Sequence, residues 1–526
     1  MTRQLIMTLA IAAALAVMPP GTSLALIWDS DTATTGVQNG AGTWANGGTN
    51  WWDGSANVAW DNTTPTVAQF GSAVGTTAPT ITVDETVKST GVTGNHRFSY
   101  VPGSTNGGTI EMNGDAFTVS LYSYNKFYTP LTTAAGVNKI VFRGNGTRTD
   151  EYVYLYNANS FDAPIEIGEA ESCAVFVYAG LGSTTPVVLS PSTAGLGGDS
   201  TKSITVFNGS TLGLRSDTVV DKPIILTGGT GYGDRGSLEF YGSSDASELR
   251  GSVTLQGHTT FRTRATGRIT GSLTGDFDLA VQTAASNRPG AITLENEVNS
   301  SNSLTLGALT NDASCVAHLI LAGNYEADEF VTIGTIGVLY RGEATIRSGA
   351  TLTSPSVAVN NRGVLRGVGV VNADVIVAAG GTIEAGEADI YNSTDDVYYL
   401  DAESTIGTLT VGGNVTVAGT LKVEYDSTAK TIDRLDVSGA LDLTQATLNL
   451  ADVGASTLTG GPYVLASDGT LTGIPTVTGS LPEGYQLVYN YQGNKIALVP
   501  EPTMFVVLMG LALTLTGCRV RHRVSR

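Results

Sequence analysis

Acid–base or metal chemistry in this chain would have to be built from four histidines, three cysteines and 47 acidic residues. His96, His258, His318 and His522 stand apart: none lies in an HExxH pair, and no GxSxG elbow offers an activated serine. Cys173, Cys315 and Cys518 form no CxxC and no Cys/His group, so zinc and haem find no ligand set. In an oxidising compartment a Cys173–Cys315 disulfide stays open. Two glycine-rich stretches imitate phosphate loops. In GYGDRG (Gly231, Gly233, Gly236) the letters fit GxGxxG, but SLEFYG follows as a strand, so no helix N-terminus receives a pyrophosphate and the stretch reads as a turn. In GLGGDSTKS, Thr201 stands where the loop needs glycine before Lys202. The reading is no catalytic residue, no metal and no cofactor. Residues far apart in sequence can still meet in a repeat fold, so a polysaccharide-binding or polysaccharide-degrading protein, lyase or hydrolase, is the alternative.

Two stretches offer binding chemistry instead. All five tryptophans (Trp28, Trp44, Trp51, Trp52, Trp60) fall in one Gly/Asn/Asp-rich segment near the start. Trp44, Trp51, Trp52 and Trp60 are candidates for stacking on sugar rings, whose C–H faces suit flat apolar surfaces. The competing and favoured reading is a plug that hides the first hydrophobic layer of a repeat body. The segment 383–405 gathers Glu384, Glu387, Asp389, Asp395, Asp396, Asp401 and Glu403. Clustered carboxylates suit Ca²⁺, but the spacing fits neither an EF-hand nor a nonapeptide Ca²⁺ repeat, and a solvated loop is preferred.

The elements that would carry these residues are strands. Only 14% of residues are charged, Gly numbers 65, and short runs such as SITVFNGSTLGLRS and GTLTVGGNVTVAGTLKVEYD alternate apolar with small polar side chains before a Gly, Asn or Asp turn. Period-two alternation gives strands with one buried face. Turns recur too often for a sandwich of ordinary strands. Stacked coils of roughly 20–25 residues suit the pattern, each short strand pairing with its equivalents above and below. The expected fold is all-β, an elongated parallel β-helix (a β-solenoid of the pectin-lyase type), with a signal helix before it and an apolar helix after it. Against 28 basic residues, the acids leave a formal charge of −19, which repels phosphate backbones, so nucleic acid is not expected as a partner.

The two ends read as addresses. Residues 1–25 combine Arg3, an apolar run and small residues before Ala25, the pattern of a cleaved secretory signal peptide. At the far end, Pro500, Glu501 and Pro502 precede an apolar run at 504–517 and the bases Arg519, Arg521 and Arg523. As a helix that run would span about 21 Å at ~1.5 Å per residue, short of a ~30 Å hydrocarbon core, so it is a marginal anchor with its basic end cytoplasmic.

Triplet, apolar run and terminal arginines, in that order, resemble the PEP-CTERM sorting signal of exported bacterial proteins. The resemblance implies presentation at the membrane through the C-terminal helix, cleavage by an exosortase-like membrane sortase and transfer to the cell envelope or exopolysaccharide. A permanent membrane tail is the alternative. The late segments GGTIEAG, YVLASDGTLTG and LPEGYQLVYNYQGNKIALVPEP resemble the final part of autotransporter-type passenger β-helices, and the Trp-rich opening resembles exported proteins with autotransporter-associated β-strand repeats. The membrane barrel of a true autotransporter is missing from the pattern, so self-translocation is not implied. The expected organisation is 1–25 signal peptide, 26–100 cap, 101–382 β-helix repeats, 383–405 acidic insertion, 406–498 passenger-like β-helix and 499–526 sorting tail. The expected role is that of a structural or adhesive protein of the cell surface or exopolysaccharide matrix, not an enzyme.

Overall fold

The computed structural model describes residues 25–501 except 76–77, 104–106, 147–150, 157–158, 179–195, 197, 216–217, 243–246, 284–289, 309–314, 335–340, 389–390, 393–396 and 399–403. The chain is all-β, built of long parallel sheets in the manner of a β-solenoid. Among the described residues there is no α-helix, only a 3-10 turn at Tyr232–Asp234. The chain divides into two compact units at Phe277/Asp278, and each is taken by itself.

In the N-terminal unit the coils contribute strands to two continuous faces and, in most coils, a short strand to a third. The first face runs from Val67–Gly75 through Gly91–His96, Ala116–Leu121, Lys139–Gly144, Ile165–Ile167, Ile204–Val206, Ile224–Leu226 and Val253–Leu255 to Leu273–Thr274, every neighbour parallel. The second includes Ser99–Pro102, Asn125–Phe127, Tyr152–Tyr156, Ala174–Tyr178, Thr211–Arg215, Leu238–Tyr241 and Thr259–Thr263. Shorter strands such as Val87–Ser89, Ile110–Met112 and Leu131–Thr133 close the third.

Strands this short hold because each inward side chain packs on its equivalent one coil away. On the first face Phe117, Ile140, Ile165, Ile204, Ile224, Val253 and Leu273 follow one another in register, all fully buried. Burying each is worth roughly 1.5–3 kcal/mol. The coil length varies more than expected. Register partners lie 20 residues apart from Ile204 to Ile224 but 29 from Ile224 to Val253, because turns at the corners absorb extra residues without disturbing the ladder. Coiling also begins earlier than the expected boundary at 101, since Val67–Gly75 already pairs in parallel with Gly91–His96.

The C-terminal unit repeats the scheme with longer strands. Tyr325–Ile333, Thr351–Val359 and Val370–Val377 stack in parallel, and register shifts between Glu326 and Val331 and between Thr353 and Ser356 bend them at mid-length. In the next coils the two halves separate into Thr408–Val411 and Val415–Val417. The opposing face stacks Gly290–Leu294, Val316–Leu321, Arg341–Ile346, Gly363–Gly367, Thr382–Ala385, Thr420–Asp426, Thr447–Asp452 and Thr476–Gly479. Lys495–Pro500 closes this unit, antiparallel to Tyr463–Ser467 and Tyr485–Val488.

Candidate functional site

The tryptophans form the cap. Leu26–Trp28 pairs antiparallel with Trp51–Trp52, and Trp28, Trp44, Trp51 and Trp60 are buried to within 1%. Their rings meet edge to face around Phe70: Trp28 lies 5.4 Å from Trp51, Trp44 5.1 Å from Trp60, and Trp44 and Trp51 each 5.5 Å from Phe70. Asp29 ties the cap together, accepting from the Gln38 N–H and the Asn57 amide. This corrects the glycan-stacking expectation for Trp44, Trp51 and Trp60, whose faces are spent on one another. Trp52 alone among the four is half-buried.

The other expected sites divide between placed and unplaced residues. Pro500 ends the last strand opposite Tyr485, and the Glu501 N–H donates to the Gly484 carbonyl at 2.7 Å; both residues are exposed. Pro502, the apolar run, Arg519, Arg521 and Arg523 lie outside the described residues, as do residues 1–24. Among the described residues no helix is long and apolar enough to cross a membrane. The acidic segment is more structured than a plain loop: Glu387–Ala388 pairs antiparallel with Ser404–Thr405, and Tyr391–Asn392 with Val397–Tyr398. Glu384 is not part of a solvated loop but a buried residue of Thr382–Ala385. The described residues contain no group of three or more His, Cys, Asp or Glu placed to hold a metal ion. Cys173 and Cys315 are both buried and are not joined in a disulfide.

One arrangement was not anticipated. The second face of the N-terminal unit carries aromatic and basic side chains on its outside. In Tyr152–Tyr156 (YVYLY) Val153 and Leu155 enter the core, which turns Tyr152, Tyr154 and Tyr156 outward. Register sets Lys126, Tyr154, Phe176, Gly213, Glu239 and Arg262 in one outward column. Tyr154 stacks on Phe176 at 5.4 Å and on Tyr124 at 5.9 Å, and Tyr128 on Tyr156 at 4.4 Å. The Phe176 ring lies over Gly213, where a Cβ would come within 2.3 Å of it.

At the end of this aromatic row sits a charge cluster. Glu239, fully buried, pairs with Arg235 at 3.1 Å and with Arg264 at 3.3 Å. Arg262 is its register neighbour and is 8% exposed. Burial pushes the Glu239 carboxyl up, and the three guanidinium groups pull it back. Burial, with Arg264 and Arg235 alongside, lowers Arg262. The rings steady the cations: Arg235 lies 5.1 Å from the Tyr152 ring centre and 5.3 Å from that of Phe176, while Arg215 and Arg264 lie 5.1 and 5.7 Å from that of Tyr241. The GYGDRG stretch is indeed a turn, with Gly233 at φ 59. It delivers Arg235 and Tyr232 to the cluster, and the Tyr232 hydroxyl accepts the Glu151 N–H.

A second charged ladder runs along the C-terminal unit. Arg341 meets Glu343 at 2.7 Å, and Arg366 sits between Glu343 (3.7 Å) and Glu384 (3.8 Å). Lys422 bridges Glu384 at 2.6 Å and Glu424 at 2.5 Å. Asp433, fully buried, accepts the N–H groups of Gly407 and Glu424, and burial pushes its carboxyl up to about 8. Such a carboxyl holds a proton at neutral pH but has no path to a substrate. Two surface hollows, one bordered by Glu297, Asn299, Tyr325 and Glu326 and the other by Thr470, Tyr489, Asn490 and Asn494, contain no Lys, Arg or His to serve as a base.

Compared with known protein families and with curated proteins, the chain matches none.

Proposed function

We propose that this is an exported structural or adhesive protein of the bacterial cell surface or exopolysaccharide matrix, sorted to the envelope through its C-terminal tail by an exosortase-like enzyme. The observation that carries the reading is the junction at Pro500 and Glu501. The folded body runs without a linker into the exposed Pro500 and Glu501, and Pro502, an apolar run of marginal spanning length and three arginines follow in the sequence. A segment too short for a durable anchor is suited to brief presentation to a membrane enzyme. A body of stacked coils, with its core sealed at one end by indole rings, suits a passive scaffold.

Intact-mass measurement of the protein from its native envelope tests this. A mass ending near Pro502 is expected, and one that retains Arg526 would leave a plain membrane tail as the better account. The rival enzymatic reading predicts new reducing or unsaturated ends when the protein is incubated with acidic polysaccharides, with and without Ca²⁺.

A further inference from the structure

We propose that the last coil of the C-terminal unit is a docking surface for a second copy of this chain, the two copies pairing edge to edge and antiparallel through Thr476–Gly479. The first reason is that two core columns end there uncovered. Ile383, Leu421 and Leu448 follow one another in register, each buried to within 1%, and the next position in that column, Val477, is 41% exposed. Val375, Val415 and Leu441 are buried in the same way, and Leu471, which continues their column, is only half-buried. Ile474 and Leu481, 69% and 43% exposed, flank Val477, so three of the six large apolar side chains exposed among the described residues fall in this one stretch. Scattered singly such residues need no explanation, but gathered at the open end of a core they mark a contact.

The second reason is the backbone. The Thr476 N–H donates to the Ala446 carbonyl at 2.9 Å, and the Ser480 N–H to that of Leu450 at 3.1 Å. Alternate residues of a parallel strand bond to the same neighbour, so the N–H and carbonyl of Val477 point the other way. On that side, among the described residues, no further strand pairs with Thr476–Gly479. Such an edge is a template for another strand, and proteins commonly guard it with charge. Residues 469–482 hold no Asp, Glu, Lys or Arg. That selects the partner. Two copies of a chain of net charge −19 repel one another, and an uncharged end is where they can approach. A lone peptide strand would satisfy the edge but leave Leu471 and Ile474 uncovered, whereas an identical end brings its own apolar column. A strand paired antiparallel with its own copy is two-fold symmetric, so the contact closes at two chains.

Sedimentation equilibrium of the full chain in density-matched mild detergent, over a range of protein concentrations, tests it. A monomer–dimer equilibrium is expected. Val477→Lys and Ile474→Lys should each raise its dissociation constant by about tenfold or more, while Val298→Lys, the same change at a valine 60% exposed elsewhere in this unit, should leave it unaltered. Ile474 is the more exposed of the two, so its variant keeps the test open even if Val477→Lys does not fold; an unchanged circular dichroism spectrum is the check. Hydrogen exchange of the peptide covering 474–481 should slow as the protein is concentrated and return to the fast rate in Ile474→Lys. A monomer at every concentration, a dimer that both lysine variants leave intact, or equal loss in Val298→Lys would overturn the proposal. Slow exchange at all concentrations would assign the edge to the chain's own residues 502–526 and overturn it as well.

Discussion

At Trp51 and its neighbours, local composition invites a ligand while packing removes it. Trp51→Ala would empty a space enclosed by Trp28, Trp44, Trp60 and Phe70, and a loss of about 3–5 kcal/mol is expected in urea unfolding. Adding polysaccharide should leave the tryptophan emission of the folded protein unquenched; strong quenching would return the indoles to the binding role. Asp433 yields a prediction about pH. Its folded value of about 8 stands above ~3.9 for an unfolded aspartate, so its contribution to stability is fully present below about pH 4 and is lost as pH rises through about 8. His318 acts in the other sense: burial lowers it from 6.5 to about 4, so its contribution is present above 6.5 and lost on acidification. From pH 6.5 to 8, therefore, of these two only Asp433 changes. The urea midpoint should fall across that window, and Asp433→Asn should flatten the fall whatever it does to the absolute midpoint.

Single strands of three residues have no stability of their own, and the coil-to-coil ladder supplies it. Two substitutions probe different ways of disturbing that ladder on its outer side. Gly213→Ala pushes a methyl into the Phe176 ring, which should cost about 1–3 kcal/mol by overpacking. Lys422→Met leaves Glu384 and Glu424, both nearly buried, facing each other without their shared cation. Breaking a buried pair from one side costs about 3–5 kcal/mol. Strand character at both places was legible from period-two alternation, but the outward columns were not. YVYLY announces a strand, and its alternation announces which residues enter the core. That the outward tyrosines would stand over Phe176 and near Arg235 depends on registers with strands that begin 22 and 86 residues further on.

For the whole molecule, the position of the tryptophans makes the two units separable by experiment. All five lie between residues 28 and 60, in the N-terminal unit. Stacked repeats contact only their neighbours, so damage need not spread. Lys422→Met should lower the unfolding midpoint followed by circular dichroism in part of the signal, while the tryptophan-detected transition stays in place. One shared transition, shifted equally in both signals, would instead mark a single cooperative body.

What the sequence determined alone was whatever depends on near neighbours. Alternation set the strand faces, Gly, Asn and Asp set the turns, and the absence of metal-ligand and nucleophile motifs was a matter of spacing. Tertiary structure decided what depends on register between coils. It buried Trp44, Trp51 and Trp60 against one another, drew Glu384 from an expected loop into an ion pair with Lys422, and gathered Arg235, Arg262 and Arg264 around Glu239. The physical reason is that coil lengths here vary from 18 residues between Leu365 and Ile383 to 40 between Val375 and Val415. With no constant repeat, the partner one coil away cannot be read by counting along the chain.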